Sequence, residues 1–447
     1  MRPSRRRDRW FPNVVIALLL MALAAGTVSN LVRNPQPRLV AEGVPGRLAP
    51  PGGASAGSGK YDDLVRHALA DLDALTVQTD PPPDRQTVPD NTKLPDDTKL
   101  PDDTTLPGAA TPPDKTTLPG AAVPSGVTLA GWNGPWRFVW PRDVSFVAVA
   151  RCAVGQYDKA YQVLSFLNSI RPSTGRWEAR YTGTGGHLED ARAPQVDGAG
   201  WVIWATWFCR AGNRYWDLVR ESADQIVGEL GPDGLPASSS DYWERPEKEV
   251  TLGTVAPLLT GLRSAIHVAT DLHRTTDADR WRTALDRLSA ATDRAFAPDY
   301  PRTPARATSF VEPGVEPISI GGGADAIVTV LGPPFAPGNP QVSAAIDRAH
   351  DVLTQPNGGV TPGESWRADG VSWTPQTALF ALSAAARGDR STAETLLTWL
   401  DQHRTSTGAL PEKVNRDLEP AGEAPLAWTA ALVILADTAL QNPLPVP

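Results

Sequence analysis

The chain has 447 residues, 41% of them hydrophobic and 21% charged, a globular composition that leaves room for two ordinary domains or one large one. A net charge of -8, with no basic patch beyond the extreme N-terminus, argues against a nucleic-acid partner. There is no Cys-x-x-Cys and no His-x-x-x-His, and the histidines are scattered, so no metal site and no cofactor are expected.

Residues 1–10 are basic, with Arg2, Arg5, Arg6, Arg7 and Arg9. An uncharged apolar stretch from Phe11 to Val32 follows, long enough to span a bilayer. The arginines place its N-terminal side in the cytoplasm and the rest of the chain outside. Residues 1–33 therefore read as a single-pass membrane anchor, with a cleaved signal sequence as the rival reading and a secreted product as its consequence. Residues 34–59, rich in Pro, Gly, Ala and Ser, read as a flexible tether.

A globular domain is expected over 60–447. Its first helix falls near 61–75, where Leu64, Ala68, Leu72 and Leu75 share one face. The repeat-like stretch at 79–125, with its recurring Leu-Pro-Asp-Asp, carries too few large apolar groups to pack and reads as an exposed insertion. From Val144 onward, helix-length apolar runs alternate with loops. They fall near 143–155, 157–170, 197–211, 214–230, 250–273, 276–296, 322–331, 341–354, 375–388, 390–404 and 425–440. With the first helix that makes twelve, and strand-like alternation is scarce. The runs Thr377 to Ala386 and Leu426 to Leu440 are apolar nearly all round, as the inner helices of a closed double ring would be. Cys152 and Cys209 lie near the ends of two such helices, where they either pair or serve as small core residues.

Four loop segments carry chemistry. They are Trp140-Pro141-Arg142-Asp143, Pro194-Gln195-Val196-Asp197-Gly198, Asp241-Tyr242-Trp243-Glu244-Arg245 and Leu410-Pro411-Glu412-Lys413, each opening an apolar run. Aromatic rings stack on sugar faces, Asp and Arg hold hydroxyls, and two carboxyl groups can do the proton work of glycosidic cleavage. Glu244 follows two aromatics, a setting expected to favour its protonated form, whereas Glu412 lies in a more polar run beside Lys413. The bland alternatives are surface glutamates near helix starts and aspartates that only cap their helices.

In order and context these segments resemble glycoside hydrolase family 15, the glucoamylase-like enzymes, from about Gly131 to Asp437. The resemblance implies an all-α (α/α)6 barrel, a six-hairpin toroid whose inner-helix entry loops meet at one end. It makes Glu244 the general acid and Glu412 the general base of an inverting hydrolase. It places Arg142 and Asp143 in the innermost sugar subsite, with Gln195 and Asp197 in a further binding loop. Trp136, Trp140 and Trp243 would line the site, and Glu364 and Trp366 would occupy another substrate loop. The chain departs from the family at Trp136, where a tyrosine is expected, at Arg245, where a second carboxylate is expected, and around Val360, where a sugar-holding arginine is missing. The expected substrate is an oligo- or polysaccharide with α-glucosidic or related linkages. Trehalose, an envelope polysaccharide, or non-catalytic glycan binding are the alternatives. Oligomeric state is left open.

Overall fold

The computed structural model describes residues 59–76, 126–173, 176–188, 192–304, 306–307, 319–320 and 322–447. The expected anchor, the tether up to residue 58 and the insertion at 79–125 lie outside these. Among the described residues no helix is long and apolar enough to cross a membrane.

The described residues form eleven α-helices: α1 (Asp62–Leu75), α2 (Pro141–Ala153), α3 (Tyr157–Ile170), α4 (Asp197–Phe208), α5 (Trp216–Glu229), α6 (Leu252–Asp271), α7 (Thr275–Phe296), α8 (Pro340–Leu353), α9 (Thr374–Arg387), α10 (Arg390–Gln402) and α11 (Ala427–Gln441). The twelfth expected helix, near 322–331, is instead a short 3-10 helix at Ala326–Leu331. Ile327, Val328, Thr329 and Val330 are all β-branched, and Gly332-Pro333-Pro334 stops the chain behind them. Asp325 accepts from the Ile327 amide and caps the segment, which keeps to i→i+3 bonding.

Alternate elements make a closed inner ring. α2 packs on α4, α4 on α6, α6 on the 3-10 helix, that on α9, α9 on α11, and α11 back on α2. The outer helices α3, α5, α7, α8 and α10 each cover the inner element beside them in sequence, and α1 covers α11. The toroid is thus closed by joining its two chain ends. Inner helices are buried all round: every residue from Thr374 to Ala385 in α9 and from Ala427 to Asp437 in α11 is buried. Outer helices bury one stripe; α3 hides Ala160, Val163, Leu164, Phe166 and Leu167.

Two features tighten the ring. Gly200 on α4 and Gly261 on α6 allow these helices to touch, since a Cβ on Gly200 would stand 2.1 Å from the Pro257 carbonyl oxygen. Aromatic rings fill the centre: Phe146 meets Trp201 and Trp204 at 5.0 Å, with Phe335 and Trp428 around them. Cys152, ending α2, and Cys209, following α4, form a disulfide that resolves the two readings in favour of the pair.

Strands are only two residues long. Ser372–Trp373, Lys413–Val414 and Pro420–Ala421 form a small antiparallel sheet that holds the loop before α11 against the loop before α9.

Candidate active site

The inner-helix entry loops are stitched into a circle. Gln195 donates to the Asp241 carbonyl, and Tyr242 Oη bonds to Asp325 and the Pro362 carbonyl. The Ala326 amide also donates to Pro362, Thr374 N–H to the Glu412 carbonyl, and Ala427 N–H to the Ala130 carbonyl. Val139 and Tyr181 exchange backbone bonds, and Gln195 N–H donates to the Trp177 carbonyl. These bonds bring together all the sequence segments singled out above. They lie where the inner helices begin, so the positive ends of the helix dipoles face the carboxylates gathered there.

Glu244 holds a left-handed backbone, φ 57°, a conformation that costs a non-glycine residue free energy and recurs at functional sites. Its carboxylate is caught between two guanidinium groups, Arg142 Nη1 at 3.4 Å from Oε1 and Arg192 Nη1 at 2.6 Å from Oε2. This corrects the expectation of a partly apolar setting. The two preceding aromatics turn away from the carboxylate: Tyr242 goes to Asp325, and Trp243 is buried against Arg302 and Trp366.

Arg142 and Asp143 are buried side by side at the start of α2, Nε to Oδ1 3.0 Å. Burial works against the charge on Arg142, but Asp143, Glu244 and Asp197 outweigh it and hold it protonated. Burial pushes the Asp143 carboxyl up to about 6, against the pull of Arg142. Asp197, at the start of α4, is pushed up to about 7 by burial, with Arg142 again opposing; Trp201 Nε1 donates to it at 3.3 Å and its Oδ1 has no partner. Neither aspartate is its helix's N-cap, since those positions are Trp140 and Val196 and neither makes a side-chain cap bond. The capping alternative therefore falls.

Glu412 is buried before α11, its Oε2 3.3 Å from Lys413 Nζ and within reach of the Glu423 amide at 3.4 Å. Gly422 lets it sit there: a Cβ at that position would stand 2.5 Å from Glu412 Oε2, and its φ of 75° suits glycine. Arg142 links the two halves of the mouth, reaching Glu244 and stacking 4.8 Å from the ring of Trp428, just inside α11.

The remaining expected residues divide. Trp140 is buried, flanked by Phe138 and by Arg180. Trp136 is partly buried in a 3-10 turn, Gly134–Trp136. Trp366 is partly buried, edge-on to Trp243 at 4.8 Å and to Trp373 at 5.6 Å. Glu364 spends a carboxylate oxygen on the Ala324 amide, which ties its loop to the segment before the 3-10 helix. Trp243 is packed inside, its face under Arg302 at 3.6 Å and Arg245 at 4.4 Å, so it supports the acid's loop from within.

Sequence reasoning missed Arg192, Arg302, Glu423 and Trp428. Arg302 binds Asp241, Glu247 and Asp325 at 2.6–2.9 Å beneath the Glu244 loop. Arg192 and Arg302 sit in unpatterned loops and carry no local signal. Glu423 lies eleven residues beyond Glu412, near enough that a second carboxylate in the same loop was a signal to follow.

No family model and no curated protein matches the chain. Among solved structures, the chain is similar to a wild-type glycosidase at 18% identity and a TM-score of 0.58, covering 71% of this chain and 92% of that one. It is similar to a bacterial glucoamylase complexed with acarbose at 17% identity and 0.55, covering 71% and 53%. A glucoamylase from Saccharomycopsis fibuligera matches at 13% identity and 0.56, covering 71% and 89%. The chain therefore has the six-hairpin toroid of the glucoamylase-like glycosidases.

Proposed function

We propose that this chain is an inverting exo-glycoside hydrolase acting on α-glucosidic or related linkages, with Glu244 as general acid and Glu412 as general base. The observation that carries the reading is the contact of Glu244 with the buried Arg142–Asp143 pair at an inner-helix entry, with Glu412 in the loop bonded to the start of α9, in a toroid shared with glucoamylases. In the proposed step, Glu412 takes a proton from a water as that water attacks the anomeric carbon. Glu244 gives its proton to the departing glycosidic oxygen, and the bond to that oxygen breaks. Arg142 and Asp143 would hold the terminal sugar, with Asp197, Gln195, Trp136, Trp140, Glu364 and Trp366 around the remaining subsites. Arg192 covers Glu244 Oε2 in the free protein, so that contact gives way when the glycosidic oxygen arrives.

The departures from the family favour a sugar other than starch. Val360 is fully buried and cannot replace a sugar-holding arginine. Arg245 is committed to Glu247 and to the face of Trp243. Trehalose and envelope polysaccharides are the substrates to set beside maltose, and glycan binding without turnover is the outcome that would replace the hydrolase reading.

We place the toroid outside the cytoplasm, held by the N-terminal apolar segment. The Cys152–Cys209 disulfide supports an oxidising compartment. Reducing-sugar release from a panel of α-glucans, trehalose and envelope glycans tests the activity, with Glu412→Gln as the control. Release by the native protein and not by the variant is expected. Binding without release by either would overturn the catalytic reading.

A further inference from the structure

Glu423 stands in the mouth with no part in the reaction just described, and its surroundings are built for a carboxyl group. Its Oε1 accepts the successive backbone amides of Trp132 and Asn133, the latter at 2.9 Å, and the Asn133 side-chain amide lies 3.3 Å from Oε2. Those residues belong to a segment nearly 300 positions away in sequence. Gly131 makes the fit possible, since a Cβ there would stand 2.4 Å from Glu423 Cγ and 2.8 Å from Trp136 Cβ. On its other side Glu423 shares two hydrogen bonds with the base: the Glu412 amide donates to the Glu423 carbonyl at 2.6 Å, and the Glu423 amide donates to the Glu412 carboxylate, at Oε2.

We propose that Glu423 is a positioning residue for Glu412: its carboxyl ties the 131–136 segment, which carries Trp136, to the loop that presents the base. This rests on the reading of Glu412 as the base. Burial pushes the Glu423 carboxyl up to about 7, the Asn133 and Trp132 amides oppose that, and the Glu412 charge adds to it. Glu412 and, beyond it, Lys413 are the charged groups on this side; Trp132 and Asn133 offer only neutral donors. A glutamine in its place keeps an acceptor oxygen for the Trp132 and Asn133 amides.

Two measurements on the intact protein test this without requiring turnover. Hydrogen exchange reports the Trp132 and Asn133 amides, and carbon NMR of glutamate-labelled protein follows the Glu412 carboxyl, assigned by its loss in Glu412→Gln. The expected results are these. Glu423→Gln keeps both amides protected, whereas Glu423→Ala speeds their exchange at least tenfold. At one fixed pH the Glu412 carboxyl signal moves in Glu423→Ala and stays near its native position in Glu423→Gln. Unchanged amide protection in Glu423→Ala, or a Glu412 signal that Glu423→Ala leaves in place, overturns the proposal. If Glu423→Ala does not fold, Glu423→Asp, one methylene shorter, takes its place with the same expected outcomes. Once a substrate is in hand, Glu423→Ala should raise KM severalfold while Glu423→Gln leaves it near native. A chain that turns over no glycan would sink the hydrolase reading while leaving both spectroscopic results to stand or fall separately.

Discussion

Arg302 lies over the ring of Trp243, its guanidinium carbon 3.6 Å from the ring centroid, and from there it reaches three carboxylates. Asp241 and Asp325 are wholly buried, and Glu247 is nearly so. The pair forms the floor beneath Glu244, whose left-handed backbone needs a rigid support. Arg302→Met should destabilise the fold by about 3–5 kcal/mol, because it leaves buried carboxylates without their cation. Arg302→Lys should recover little, since one ammonium cannot reproduce the planar fork. Urea unfolding of the two variants checks this, and native-like stability in Arg302→Met would show that the network is dispensable.

The Cys152–Cys209 bridge closes a stretch of 57 residues and ties the ends of two neighbouring inner helices, α2 and α4. A loop of that size removes enough freedom from the unfolded chain to stabilise the fold by roughly 4 kcal/mol in the chain-entropy account. The double variant Cys152→Ser with Cys209→Ser, and the native protein under reductant, should both melt lower by several degrees. Equal melting temperatures with and without reductant would mean that the bridge adds nothing to the toroid.

Much of this architecture was legible beforehand because inner and outer helices obey different rules. The run from Leu426 to Leu440 is apolar on every side, which only a surrounded helix tolerates, while α3 shows a single stripe. The region 322–331 misled because apolarity alone does not separate a buried α-helix from a shorter turn of 3-10 helix; the β-branched run decided it. In the site, Glu244 and Glu412 were visible through their neighbours in sequence. What surrounds their carboxylates was not. Tyr242 and Trp243 adjoin Glu244 along the chain, yet both turn inward, and the groups that meet it come from α2 and from the loop before α4. Adjacency in sequence carries the backbone to the mouth and says little about which way a side chain faces.

Asp197 makes stability depend on pH with a definite sign. Its ordinary value is 3.8 and burial raises it to about 7 in the folded chain. The folded state therefore keeps a proton that the unfolded state has lost. Its contribution is full below about 4 and is lost as pH rises through about 7. Asp143, raised to about 6, acts in the same direction. Asp197→Asn, which keeps an acceptor for Trp201, should be increasingly stable relative to the native chain between pH 4 and pH 7. Denaturant midpoints across that range test the point, and parallel curves for variant and native protein would contradict the burial argument.

The stereochemistry of the product tests mechanism rather than mere activity. Inversion needs room for a water between base and sugar, so the two carboxyl groups stand roughly 6.5–9.5 Å apart, whereas a retaining pair stands closer and one member becomes a nucleophile. Glu412 enters the mouth from the loop before α11 and Glu244 from the loop before α6, with Arg142 between Glu244 and Trp428. On the proposed roles of Glu244 and Glu412, an α-glucoside should release β-glucose first, visible by proton NMR in the opening minutes before mutarotation. Glu412→Gln should lower kcat by at least about 10²-fold on every substrate, the usual scale for a positioned proton transfer. Glu244→Gln should lose as much on ordinary glycosides and much less on glycosyl fluorides, whose leaving group needs little protonation. An α-anomer as first product would mean a covalent glycosyl-enzyme, and then Glu412 would be a nucleophile and not the base.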